Sequence, residues 1–102
     1  MIVVITTVPK GKGKEIAKAL LEKRLAACIN IADVKSLYWW EGKIEEAEEE
    51  LLIIKTRSEL YEKLEEELKK IHPYEVPEIV ALRVKDVYVE YLRWVEKETR
   101  LR

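Results

Sequence analysis

The 102-residue chain is predicted to fold as an α+β domain of the ferredoxin-like split-βαβ type, an antiparallel sheet with two helices on one face and a further C-terminal helix. Three observations carry this prediction. Residues 2–8 (IVVITTV) and 51–56 (LLIIKT) are β-branched and aliphatic runs of strand length. Two segments repeat their apolar residues every four positions, one from Lys14 to near Ala26 and one through Leu60, Leu64, Leu68 and Ile71. Glu41-Gly42-Lys43 supplies a turn glycine between an aromatic run and a returning arm. The resulting order is β-α-β-β-α-β, and no linker, repeat or low-complexity tract interrupts it, so residues 1–102 form a single domain.

The first strand is closed by Pro9 and by the glycines of Pro9-Lys10-Gly11-Lys12-Gly13. In the helix that follows, Ile16, Ala17, Leu20, Leu21 and Leu25 share one side, while Lys14, Glu15, Lys18, Glu22 and Lys23 take the other. Cys28 to Trp40 is the second strand region. Residues 44–50 (IEEAEEE) suit a helix by composition, yet they lead directly into a clear strand; a long hairpin with a solvated acidic stretch reconciles the two. Thr56-Arg57-Ser58-Glu59 has capping-box spacing for the next helix, with Ser58 as the alternative cap. On that helix Glu59–Lys63, Glu65–Lys69 and Glu66–Lys70 are acid-before-base pairs, each worth about 0.2–0.5 kcal/mol. Residues 79–84 (IVALRV) form a fourth strand, and Asp86 is positioned to cap a last helix carrying Tyr88, Tyr91, Leu92 and Val95.

Charge narrows the function classes. Nineteen Lys and Arg against twenty Asp and Glu leave a net charge of -1, without the basic excess of a nonspecific nucleic-acid binder. No apolar run approaches the roughly 18 residues of a membrane span. The N-terminus places its basic residues after its apolar stretch, the reverse of a secretory signal, so a cytoplasmic protein is expected. Cys28 has no partner for an internal disulfide and reads as a small core residue. No glutamine, one asparagine and abundant Glu, Lys and Arg match the usage of hyperthermophile proteins.

His72, the only histidine, lies where a charged helix meets the turn Pro73-Tyr74-Glu75-Val76-Pro77. Imidazole is the commonest metal ligand, and a histidine in a last helical turn also complements the helix dipole; both roles are open here. Tyr38, Trp39 and Trp40 are consecutive in a strand, so the aromatic side chains alternate between its faces. Helices cover one face of such a sheet, leaving aromatic area for another subunit, a ligand or RNA; oligomerisation is the economical reading. Gly13-Lys14 is followed by Glu15 where a phosphate-binding P-loop needs Ser or Thr, and no nucleophile-base-acid set is present, so an enzyme is not expected.

Five stretches occur in an order and spacing that resemble one family: TTVP in the first strand, RLAACIN (24–30), SLYWWEGKI (36–44), IKT (54–56) and HPYEVPEI (72–79). The chain resembles the CutA divalent-cation-tolerance proteins. The resemblance implies a tight homotrimer similar in architecture to PII signalling proteins, with hairpin strands pairing across subunits. It also implies a role in tolerance of copper and other divalent cations. Copper ligands implied for some members are a first-strand cysteine and histidines at the helix exit. Thr6 and Thr7 replace that cysteine and Ile71 precedes His72, so only His72 carries over as a metal ligand, for copper or another divalent cation and with no organic cofactor. PII-like trimers take small effectors between subunits, and Trp40, Lys55, His72 and Tyr74 are the residues expected in such a cleft. For Lys55 a strand-end cation reaching water or an acid is an equal reading, and for Tyr74 plain packing. The functional expectation is therefore a trimer that binds metal ions or senses a small ligand. The alternative is a PII-like signalling or partner-docking trimer without physiological metal.

Overall fold

The computed structural model describes residues 1–100. Strands β1 (Ile2–Pro9), β2 (Cys28–Trp40), β3 (Lys43–Thr56) and β4 (Val80–Arg83) form one antiparallel sheet in the order β2-β3-β1-β4. Helix α1 (Gly13–Glu22) joins β1 to β2, and α2 (Tyr61–Ile71) follows β3 through a 3-10 turn, Ser58–Leu60. A third helix, α3 (Val89–Glu98), ends the described chain. This is the split-βαβ order expected from the sequence, with the added C-terminal helix.

The two sheet faces have different fates. Ile2, Val4 and Val8 of β1 and Leu52 and Ile54 of β3 point at Ile16 and Leu20 of α1 and at Leu60, Leu64 and Leu68, and together they form the core. On the opposite face the register aligns Val3 with Lys55 and Leu82, Ile5 with Ile53 and Val80, and Thr7 with Leu51. Val80 and Leu82 are exposed there, and Val3, Ile5, Leu51 and Ile53 are only half-buried. The domain therefore carries an apolar sheet face that α1 and α2 do not cover.

Strands β2 and β3 run paired from Cys28 opposite Lys55 to Trp40 opposite Lys43. Glu41 and Gly42 both have positive φ, 49° and 78°, the backbone of a two-residue type I′ turn. The acidic 44–50 stretch is strand, as the long-hairpin reading required. Because β1 ends at Pro9 opposite Glu49, residues 43–48 project beyond the body of the domain, whose longest dimension is 44 Å.

Helix termini depart from the sequence expectations. α1 stops at Glu22 rather than near Ala26, because Arg24 enters the left-handed region at φ 59°. The Leu25 N–H then donates to the Leu20 carbonyl and the Arg24 N–H to the Leu21 carbonyl, a Schellman ending with arginine in the glycine position. The Arg24 side chain compensates by pairing with Glu98 of α3 at 2.8 Å. Thr56 does not cap α2: its hydroxyl donates to the Leu25 carbonyl at 2.8 Å, and neither Ser58 nor any other side chain caps that end. Asp86 does not cap α3, which begins at Val89 after Tyr88 in the N-cap position. Of the three expected helical ion pairs, Glu66–Lys70 forms at 3.7 Å, while Glu65 instead accepts from the Tyr61 hydroxyl. At the start of α1 the Gly13 N–H donates to Glu50 of β3 at 2.7 Å, so a carboxylate of the chain itself already sits at this helix N-terminus.

Candidate functional site: an aromatic and acidic cleft beside His72

The helix-exit turn folds back over the uncovered sheet face. Pro73 and Pro77 restrict the backbone between α2 and β4, and this brings Tyr74, Glu75, Val76 and Glu78 opposite the hairpin. A cleft of about 750 Å³ lies between them, walled by Tyr38, Trp39, Trp40, Glu45 and Glu49 from the hairpin and by Thr7 from β1. Trp40 is 48% exposed and Trp39 73%, so the aromatic wall is largely open to solvent. Glu49 is the opposite case, at 5% exposure. Its Oε2 accepts from the Tyr74 hydroxyl at 2.6 Å, and Glu78 accepts weakly from Thr7 at 3.5 Å. Burial first, and then the bond to Glu49, push the Tyr74 phenol well above its ordinary range, so it stays a donor.

His72 stands behind this wall rather than in it. At the C-cap of α2 it is 7% exposed, and its ring lies 5.1 Å from that of Tyr74, tilted by 43°. Its Nδ1 accepts from the Tyr74 N–H at 3.2 Å, which leaves the proton of the neutral ring on Nε2. Nε2 donates to the Thr7 carbonyl at 2.9 Å and has the Thr6 hydroxyl at 3.2 Å. Burial lowers the His72 pKa against the opposing pulls of the Thr7 carbonyl and Glu49, so the neutral form is favoured. With Nδ1 accepting and Nε2 protonated, neither nitrogen has a lone pair to give an ion. Ligation by His72 requires surrendering the Tyr74 bond. Among the described residues there is also no group of three or more His, Cys, Asp or Glu side chains able to hold a metal. The donor set around His72 does not fit a resident divalent cation.

Of the four residues expected to share a cleft, the chain brings Trp40 and Tyr74 to it, sets His72 directly beneath, and leaves Lys55 elsewhere. Lys55 opposes Cys28 and Val3, four strand positions beyond Leu51, and donates to the Asn30 side-chain oxygen. At about 3.3 Å per residue that places it roughly 13 Å along the sheet from Leu51. Glu49, the buried carboxylate, escaped the sequence reading because it sits in an acidic run that looks solvated throughout. Strand period was the available signal: Glu49, Leu51 and Ile53 alternate onto one face.

Comparison with known proteins places the chain. Residues 1–98 match the family described as CutA1 divalent ion tolerance protein. The chain is 48% identical over 101 residues to the divalent-cation tolerance protein CutA of Pyrococcus horikoshii, covering 98% of this chain and 99% of the relative. It is similar in structure to the PII-like protein CutA from Nostoc sp. PCC 7120, with TM-score 0.96, 34% identity and full coverage of both chains. It is also similar to the periplasmic divalent cation tolerance protein CutA from Archaeoglobus fulgidus, with TM-score 0.93, 43% identity, and coverage of 96% of this chain and 98% of that one. Among the described residues no helix is long and apolar enough to cross a membrane. On a match that spans almost its whole length, and on a fold and helix-exit motif that agree with it, the chain belongs to the CutA1 divalent ion tolerance protein family.

Proposed function

We propose that this protein serves divalent-cation tolerance as a non-enzymatic, cytoplasmic homotrimer that senses or carries a small ligand in clefts completed between subunits. The observation that carries the proposal is the uncovered apolar sheet face, Val3, Ile5, Leu51, Ile53, Val80 and Leu82, running into the aromatic cleft. An apolar surface of this extent marks an interface, and assembly with further copies buries it. The PII-like name of the Nostoc relative supports the sensor reading. Direct copper ligation at His72 has less support, because both ring nitrogens are engaged within the chain.

The test has two parts. Light scattering should give three times the 12.1 kDa chain mass, and a stable monomer would refute the assembly. A metabolite panel should contain compounds that raise the melting temperature, as any ligand preferring the native state must. An intact trimer that responds to no compound favours a partner-docking protein instead.

A further inference from the structure

We infer that the helix-exit turn is a proton-operated latch: a proton taken up by His72 at Nδ1 removes the acceptor of the Tyr74 N–H, and the turn then releases Tyr74 from Glu49 of the hairpin. The inference goes beyond the function proposed above, because every contact of the latch lies within one chain and stands whichever ligand the cleft takes. Tyr74 is tied at both ends. Its N–H donates to His72 Nδ1 at 3.2 Å and its hydroxyl to Glu49 at 2.6 Å, so this one residue joins the exit of α2 to β3. Among the described residues these are the only hydrogen bonds made by positions 73–77, and Pro73 and Pro77 have no N–H to add another.

The other side of the imidazole decides what moves. Nε2 donates to the Thr7 carbonyl at 2.9 Å and has the Thr6 hydroxyl at 3.2 Å, so the lone pair on Nδ1 is the one place for a second proton. Once protonated, Nδ1 is a donor facing the Tyr74 N–H, and one of the two N–H groups must withdraw. The ring is anchored to β1 by two contacts, whereas the turn holds to the ring by one, so the turn yields. At 7% exposure the ring is already enclosed by its own chain, and assembly changes its immediate neighbours little. Of the charged groups around it, Glu49 of β3 favours the imidazolium. Glu78 stands beyond the Thr7 hydroxyl, Glu75 of the turn and Lys69 and Lys70 of α2 are exposed, and Thr6 and Thr7 of β1 carry no charge. Burial outweighs the pull of Glu49 and keeps the ring neutral at neutral pH, so the latch is closed there and opens on acidification.

An acid titration of the full chain, without added ligand, tests this by three readouts: the His72 ring resonances, amide exchange at Tyr74, and fluorescence of the tryptophans that share the cleft wall with Tyr74. His72 should titrate below 6.5. Through the same transition the protection factor of the Tyr74 amide should fall by about tenfold, as expected for losing one buried bond, and the fluorescence should change with it. Far-ultraviolet circular dichroism and light scattering should stay constant, since the turn moves while the fold persists. His72→Gln, which accepts from Tyr74 and donates to Thr7 without titrating, should hold the latch closed and abolish both changes. Should that variant fail to fold, Glu49→Gln should move the midpoint to lower pH, because the carboxylate that favours the imidazolium is gone. A titrating His72 with unchanged Tyr74 protection and fluorescence overturns the latch. So does a transition that persists in His72→Gln, one whose midpoint Glu49→Gln leaves in place, or one that coincides with unfolding. A silent metabolite panel bears only on the small-ligand reading and leaves the latch standing.

Discussion

His72→Ala separates a structural histidine from a ligating one. The imidazole bridges three groups: the Tyr74 N–H, the Thr7 carbonyl and the Thr6 hydroxyl, which is fully buried. Truncation leaves all three without their partner. An unsatisfied buried polar group costs about 1–3 kcal/mol, and water entering beside a residue of 7% exposure brings the outer two toward the low end. Adding the packing lost beneath the Tyr74 ring, the expected destabilisation is about 3–5 kcal/mol. Guanidinium unfolding at fixed protein concentration measures it as a fall in midpoint with unchanged slope. His72→Gln, which can still accept at one end and donate at the other, should recover part of the loss. Copper titration of the folded variants should give isotherms like that of the wild type. A destabilisation below about 1 kcal/mol, together with loss of a saturable copper site, would refute the reasoning and restore His72 as a ligand.

Two further outcomes follow from the same geometry. Gly13→Ala should destabilise by about 1–3 kcal/mol despite the better helix propensity of alanine, because the new Cβ falls 2.6 Å from the Glu50 carboxylate oxygen and expels the acceptor of the α1 N-terminus; thermal melts of G13A against E50Q and the double variant measure the coupling. His72 also sets a pH response. Its folded pKa lies below the ordinary 6.5, so on acidification the unfolded chain takes up a proton first, and the stabilisation present above about pH 6.5 is lost as pH falls through the folded value. Denaturation midpoints should therefore drop between about pH 7 and 5 in the wild type and much less in His72→Gln; parallel curves would exclude His72 as the source.

Elements whose identity rests on period and turn chemistry were legible without coordinates. IVVITTV and LLIIKT are strands, Gly42 makes the hairpin turn, and the four-residue rows of α1 and α2 face the core. What escaped depends on tertiary partners. Thr56 has a capping residue's identity and spacing, but its hydroxyl belongs to the Leu25 carbonyl. Arg24 ends α1 in a backbone conformation that its sequence neighbourhood gives no reason to expect, sustained by a carboxylate 74 positions away. In the cleft, Trp40 and Tyr74 were visible as aromatics flanking turns. Within one chain Lys55 lies away from Trp40 and Tyr74, because the strand register carries it along the sheet in a way invisible to composition. Glu49 was hidden because five Glu between positions 45 and 50, interrupted by one Ala, would be read as one solvated stretch, whereas the pleat buries one of them.

The projecting half of the hairpin bears on how the chain survives before it assembles. Residues 43–48 of β3 have β2 on one side and nothing on the other, and β2 is itself an outer strand, so a newly folded copy displays unpaired backbone groups beside tryptophans. Such edges recruit whatever extended chain is nearby, correct or not. Glu45, Glu46 and Glu48 lie along this exposed segment, and their mutual repulsion opposes stacking of like edges at high concentration. On this view the helix-favouring composition of IEEAEEE is the cost of an aggregation guard, tolerated because the strand is imposed by its neighbour β2 and by the turn at Gly42.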